Sequence, residues 1–98
     1  MNESQNELLL MLKHSRVPLH LHGGIVRYIA QNIEPGSFLR AVLENDLKGA
    51  CARADEDSKA ALWDIVGFLY NYAPMGCWGS PDKVSRWIEQ RNREDTGK

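Results

Sequence analysis

The sequence predicts an all-α protein, a single bundle of four to five short helices. Three observations carry this. Apolar residues recur at helical spacing in every segment between turn signals. No segment sustains the alternation of a half-buried strand. The breaks are short, built from Pro, Gly, Ser and Asp, and they leave no room for long linkers.

Ser4 followed by Glu7 has the spacing of a capping box ahead of Leu8, Leu9, Met11 and Leu12, so a first helix is expected over about 5–14. Pro18 suits the first turn of a second helix with Leu21, Ile25, Tyr28 and Ile29 on one face. Gly23-Gly24 weakens that helix by about 1 kcal/mol per glycine relative to Ala, so it either starts late or admits another backbone closely. Glu34-Pro35-Gly36-Ser37 is a break, with Ser37 placed to cap a third helix that runs to about Ala54. Its stripe is Phe38, Leu39, Val42, Leu43, Leu47, Ala50 and Ala54. Asp55-Glu56-Asp57-Ser58 ends that helix and puts negative charge at the start of a fourth, about Ser58 to Tyr72, where the helix dipole favours it. After the turn from Ala73 to Gly79, Ser80 as cap and Pro81 at the first helical position open a fifth helix through about Asn92. A frayed tail from about 93 to 98 completes one domain over 1–98.

Composition excludes several classes of function. The 98 residues carry 12 Lys+Arg against 13 Asp+Glu, for a net charge of −1, and 43% are hydrophobic. That balance argues against a DNA-coating or membrane-surface protein. The longest apolar run, Leu8–Leu12, is far short of a membrane span or signal-peptide core, so a cytoplasmic protein is expected. Cys51 and Cys77 make no disulfide framework and no Cys-x-x-Cys pair. His20 and His22 on one helix point about 160° apart and cannot share an ion. With no phosphate loop, serine elbow or zinc-protease motif, no enzyme, metal or cofactor is expected.

Four constellations remain. At about 100° per residue, Asp46 falls within the apolar stripe of the third helix and Arg53 at its edge. Both are expected as buried polar residues, with Asn45-Asp46 capping a neighbouring helix or Asp46 pairing with Arg27 or Arg53. Removal of Asp46 should then destabilise the fold markedly. In the fourth helix, Ala61, Leu62, Ile65, Leu69 and Tyr72 form one apolar face, and Trp63 and Tyr70 lie near the opposite side with Gly67 between them. Such a helix is either central or carries a partner-binding stripe. Cys77 and Trp78, in a glycine-flanked turn, either plug the core or stand out as an anchor. Trp63, Gly67, Tyr70, Cys77 and Trp78 are the candidate surface for a protein partner, with homodimerisation through the same stripe as an alternative. In the fifth helix, Lys83, Arg86, Gln90 and Arg93 share a face, with Val84, Trp87 and Ile88 turned inward. Those four are the candidate nucleic-acid contacts of a rival reading, a small DNA-binding regulator.

The stretches Pro18…Gly24-Ile25…Tyr28-Ile29, Pro35-Gly36-Ser37-Phe38-Leu39-Arg40-Ala41-Val42-Leu43-Glu44-Asn45-Asp46-Leu47, Ala50…Arg53-Ala54-Asp55, Phe68-Leu69-Tyr70-Asn71 and Cys77-Trp78-Gly79-Ser80-Pro81 are distinctive in combination. Together they resemble a group of small proteins encoded in phages, prophages and other mobile elements, over about residues 17–88. The group has no assigned chemistry, so the resemblance implies a genomic setting and no catalytic residue. By analogy with other phage-borne accessory proteins, it implies action by binding a host or phage protein, as inhibitors of bacterial defence (anti-CRISPR proteins among them) do.

Overall fold

A computed structural model describes the backbone of residues 3–96 and the side chains of residues 5–91. Among these, the elements are all helical: α1 Glu3–Lys13, α2 Leu19–Gln31, α3 Ser37–Leu43, α4 Leu47–Arg53, α5 Glu56–Ala60, α6 Leu62–Tyr72, a 3-10 turn at Met75–Cys77, and α7 Pro81–Thr96. The all-α reading holds, with more helices than expected because the third and fourth predicted helices are each divided. α1 starts early enough that Ser4 lies inside it rather than capping it. α2 begins behind Pro18 and runs through Gly23-Gly24 without interruption. Gly36, not Ser37, occupies the N-cap of α3. The last helix continues past Asn92 to Thr96.

The division of the third helix corrects the most consequential expectation. α3 ends in a Schellman motif: Asn45 takes the left-handed conformation at φ 64°, its N–H bonds the Val42 carbonyl at 3.1 Å, and the Asp46 N–H bonds the Ala41 carbonyl at 2.8 Å. Asp46 then starts the next helix, with its Oδ1 accepting the Gly49 N–H at 3.0 Å. The chain folds back here, and α3 and α4 pack together as a short hairpin. Asp46 is therefore exposed, and so is Arg53, whose Nη1 donates to the Gly49 carbonyl at 3.1 Å. Neither is a buried polar residue. Leu47, expected on the core stripe, is exposed for the same reason. A Cβ at Gly49 would run into the Asp46 carboxylate, so a larger residue there would displace the capping side chain.

The fourth predicted helix divides at Ala61 (φ −103°, ψ 11°). Asp55 caps the first part through Ser58 N–H at 2.7 Å, and the ladder continues from Ile65 N–H to the Ala61 carbonyl at 2.9 Å. The bend buries Ser58 and Ala61 along with Ile65, Phe68 and Leu69.

One core runs through the helices, with Leu12, Ile25, Tyr28, Leu43, Ile65, Leu69, Cys77 and Val84 fully buried. Tyr28 sits at its crossing point. Its hydroxyl donates to the Cys77 carbonyl at 2.5 Å, and its own carbonyl accepts Trp87 Nε1–H at 2.8 Å. Asn32, left-handed at the end of α2, donates from Nδ2 to the Trp87 carbonyl at 2.8 Å. The Gly79 N–H reaches the Leu43 carbonyl at 2.7 Å, which fixes the turn after α6 against α3.

Two stability measurements test this account. Tyr28→Phe keeps the ring but leaves the buried Cys77 carbonyl without its donor, and should lower unfolding free energy by about 1–3 kcal/mol in a denaturant titration. Asp46→Ala removes only an exposed cap and should cost about 1 kcal/mol, well below the loss expected of a buried charge.

Candidate functional site

α6 divides its circumference between two roles. Leu62, Ile65, Phe68 and Leu69 turn toward the core, and Phe68 meets the Tyr72 ring at 4.9 Å between centroids. On the other side Trp63 is 87% exposed and Tyr70 80% exposed, two helical turns apart. Gly67 lies between them. A Cβ at Gly67 would meet nothing within 4 Å, so no neighbour inside the chain requires a glycine there. Asn71 borders the stripe and donates from Nδ2 to the Gly67 carbonyl at 2.9 Å.

At the C-terminal end of α6 the stripe opens into a groove of about 550 Å³, lined by Tyr70, Ala73, Met75 and Trp78 with Asn45 and Gly79. Met75 is 86% exposed at the start of the 3-10 turn. A smaller cleft of about 40 Å³ meets the groove at Asn45 and is lined by Leu47, Leu62 and Val66 among others. Trp63, Gly67, Tyr70 and Trp78 thus lie on or beside one apolar surface, and the structure adds Met75 and Leu47 to it. Sequence reading missed both. Met75, between Pro74 and Gly76, belongs to no helix with a face to bury, which is the signal that it stands out. Leu47 became exposed only through the break at Asn45-Asp46.

Cys77 does not belong to this surface. It is fully buried, its carbonyl holds the Tyr28 hydroxyl, and burial pushes its thiol up to about 11. At neutral pH it is a protonated core residue rather than a nucleophile or a partner contact. The same environment, with the neighbouring Cys77, raises the Tyr28 phenol above its ordinary range.

The rival nucleic-acid face is less coherent. Lys83 and Arg86 are exposed on α7, with Arg86 Nε donating to the Asp82 carbonyl at 3.4 Å. Gln90 Oε1 accepts from Asn32 at 3.4 Å, and Arg91 reaches the Gln31 carbonyl at 3.3 Å, so this part of α7 is bound to α2. The side chain of Arg93 lies outside the described residues.

Between α2 and α5 the structure assembles a trio that the sequence did not announce. His20 Nε2 lies 3.2 Å from Asp55 Oδ2 and 3.4 Å from Ser58 Oγ. One ring nitrogen meets both partners. A nucleophile relay needs the carboxylate on one imidazole nitrogen and the hydroxyl on the other, so this trio does not form one. The Asp55 carboxyl is held below its ordinary range chiefly by the Ser58 backbone N–H, then by the Ser58 side chain and His20. His22, on the opposite side of α2, is buried with Nε2 2.8 Å from the Val17 carbonyl. Among the described residues no group of three or more His, Cys, Asp or Glu is placed to hold a metal ion, and no helix is long and apolar enough to cross a membrane.

The two thiols are chemically separable. Iodoacetamide at neutral pH should label exposed Cys51 in the native protein and reach Cys77 only in denaturant, read by mass spectrometry as one adduct becoming two.

Neither the family models, nor the curated proteins, nor the solved structures compared with this chain give a match.

Proposed function

We propose that the protein is a non-enzymatic binding module that acts by docking a protein partner on the exposed face of α6 and the adjoining groove. The observation that supports this reading most directly is the pairing of Trp63 and Tyr70, 87% and 80% exposed, around a glycine that the chain itself does not need. A helix-interior glycine costs about 1 kcal/mol relative to alanine. Its benefit is close approach by a backbone from outside, and flanking aromatics are the residue types that dominate binding hot spots.

Area is consistent with this role. Aromatic side chains bury about 150–250 Å² each, so Trp63 and Tyr70 alone offer roughly 300 Å². Exposed Met75 and Leu47, with the partly buried Val66 and Trp78, extend the apolar surface beyond those two rings. The groove at the end of α6 is lined by no charged residue, while Asp46 borders the smaller cleft beside it and Asp64 follows Trp63 on α6. The complementary partner is an apolar helix that lies along α6 and crosses it at Gly67. The resemblance to phage and mobile-element proteins supplies the setting: an accessory protein that occupies a surface of a host defence or regulatory complex.

The test combines folding with binding. Trp63→Ala with Tyr70→Ala should leave helicity and unfolding free energy within about 0.5 kcal/mol of the parent, as for exposed residues elsewhere. Gly67→Ala should raise stability by up to about 1 kcal/mol. Both variants should lose a protein captured stoichiometrically from bacterial lysate by the parent, in the presence of nuclease. Unfolding of the double variant would make the aromatics structural. Capture that disappears with nuclease would shift the site to α7.

A further inference from the structure

A second concavity shares no residue with the α6 face. It has a volume of about 370 Å³ and lies where α2, the start of α3 and the α4–α5 junction meet. Its polar lining is His20, Arg27, Ser37, Arg53, Asp55 and Ser58, over an apolar floor that includes Leu21 and Leu39. This volume is at the small end of the range for ligand sites.

The charges here are out of balance. Arg40, nearby on α3, is held by both Glu34 and Glu44. Arg27 and Arg53 have no carboxylate within 4.0 Å among the described residues. The single acid of the cavity, Asp55, is engaged by the Ser58 N–H and by His20. Two guanidiniums thus line the cavity with one occupied carboxylate, while Asp46 and Glu44 border Arg53 on its other side, in a chain whose net charge is −1. Gly24 lines the cavity, and the exposed Arg27 guanidinium folds back along α2 toward Gly23, with Nη1 2.8 Å from where a Cβ would stand there.

We propose that this cavity binds the phosphate group of a small ligand, with Arg27 and Arg53 as its anchors. Guanidinium presents a planar fork of donors that matches phosphate oxygens, and two forks from different helices fix the position of the group as well as its charge. Ser37 and Ser58 supply hydroxyls, and the apolar floor accommodates whatever the phosphate is attached to. This site is independent of the protein-docking reading and stands or falls separately from it.

The experiment is a titration of the whole chain, uniformly labelled with 15N, by inorganic phosphate and by phenyl phosphate at pH 7 and constant ionic strength. Saturable shifts at the Gly24, Ser37 and Ser58 amides are expected. Arg27→Gln and Arg53→Gln should each weaken binding by about tenfold, and Lys48→Gln, which removes an exposed charge outside the cavity, should leave it unchanged. Tighter binding of phenyl phosphate points to an ester that uses the apolar floor, and equal binding points to the free ion. Shifts that rise linearly without saturation in the parent protein overturn the proposal with no variant needed. So does an equal loss on Lys48→Gln, which would reduce the effect to general charge screening.

Discussion

The architecture depends on the way Tyr28 is held. The ring is 1% exposed, the hydroxyl is tied to the carbonyl of Cys77, and the backbone carbonyl is tied to the indole of Trp87. One residue of α2 therefore anchors both the turn after α6 and the last helix, across 49 and 59 positions of sequence. A chain of this size buries a modest core, so a few buried hydrogen bonds of long sequence separation carry much of its specificity. Phenol, indole and carbonyl are each satisfied, which is what makes their burial tolerable.

The exposed face follows from that anchoring. With the Cys77 carbonyl turned to Tyr28 and the Gly79 N–H turned to Leu43, the segment between them is pinned at both ends. Cys77 is drawn inside, Trp78 is left extended and half-buried (φ −151°, ψ 166°), and Met75 is carried outward. The groove beside Tyr70 is thus a by-product of how the turn satisfies its backbone. Its apolar lining is then a property that an ordinary surface turn does not need.

Much of the fold was legible in the sequence. Helical periodicity placed α1, α2 and α7 and ran α5 and α6 together as one helix, and the Ser80-Pro81 signal marks a cap that the structure forms, with Ser80 Oγ accepting the Lys83 N–H at 3.2 Å. The failure at Asp46 has a definite cause. Leu39, Val42, Leu43, Asp46 and Ala50 fall on one arc whether the helix continues or stops at Leu43, so periodicity cannot detect the break. Only the dipeptide Asn45-Asp46 carries that information, since Asn tolerates the left-handed conformation and Asp caps the next helix. The candidate site was legible in part, for a different reason. The wheel opposes Trp63 and Tyr70 to the core face, but whether another helix covers them is decided by tertiary packing. The placing of Arg27 and Arg53 on one cavity, and the meeting of His20 with Asp55 and Ser58, join segments whose distance no local pattern encodes.

Among the described residues, the hairpin of α3 and α4 borders both concavities. Ser37 and Leu39 at its start and Arg53 at its end line the phosphate-type cavity, and Asn45 at its turn lines the apolar groove. Its turn is fixed by three local hydrogen bonds, from Asn45 to Val42, from Asp46 to Ala41 and from Gly49 to Asp46. The hairpin's turn is therefore set by its own sequence, with Arg53 at the end of α4 and Asn45 at the turn. That arrangement lets one small core present an electrostatic recess and an apolar face at once. Each is bounded by a different end of the same unit, and neither needs a side chain from the other.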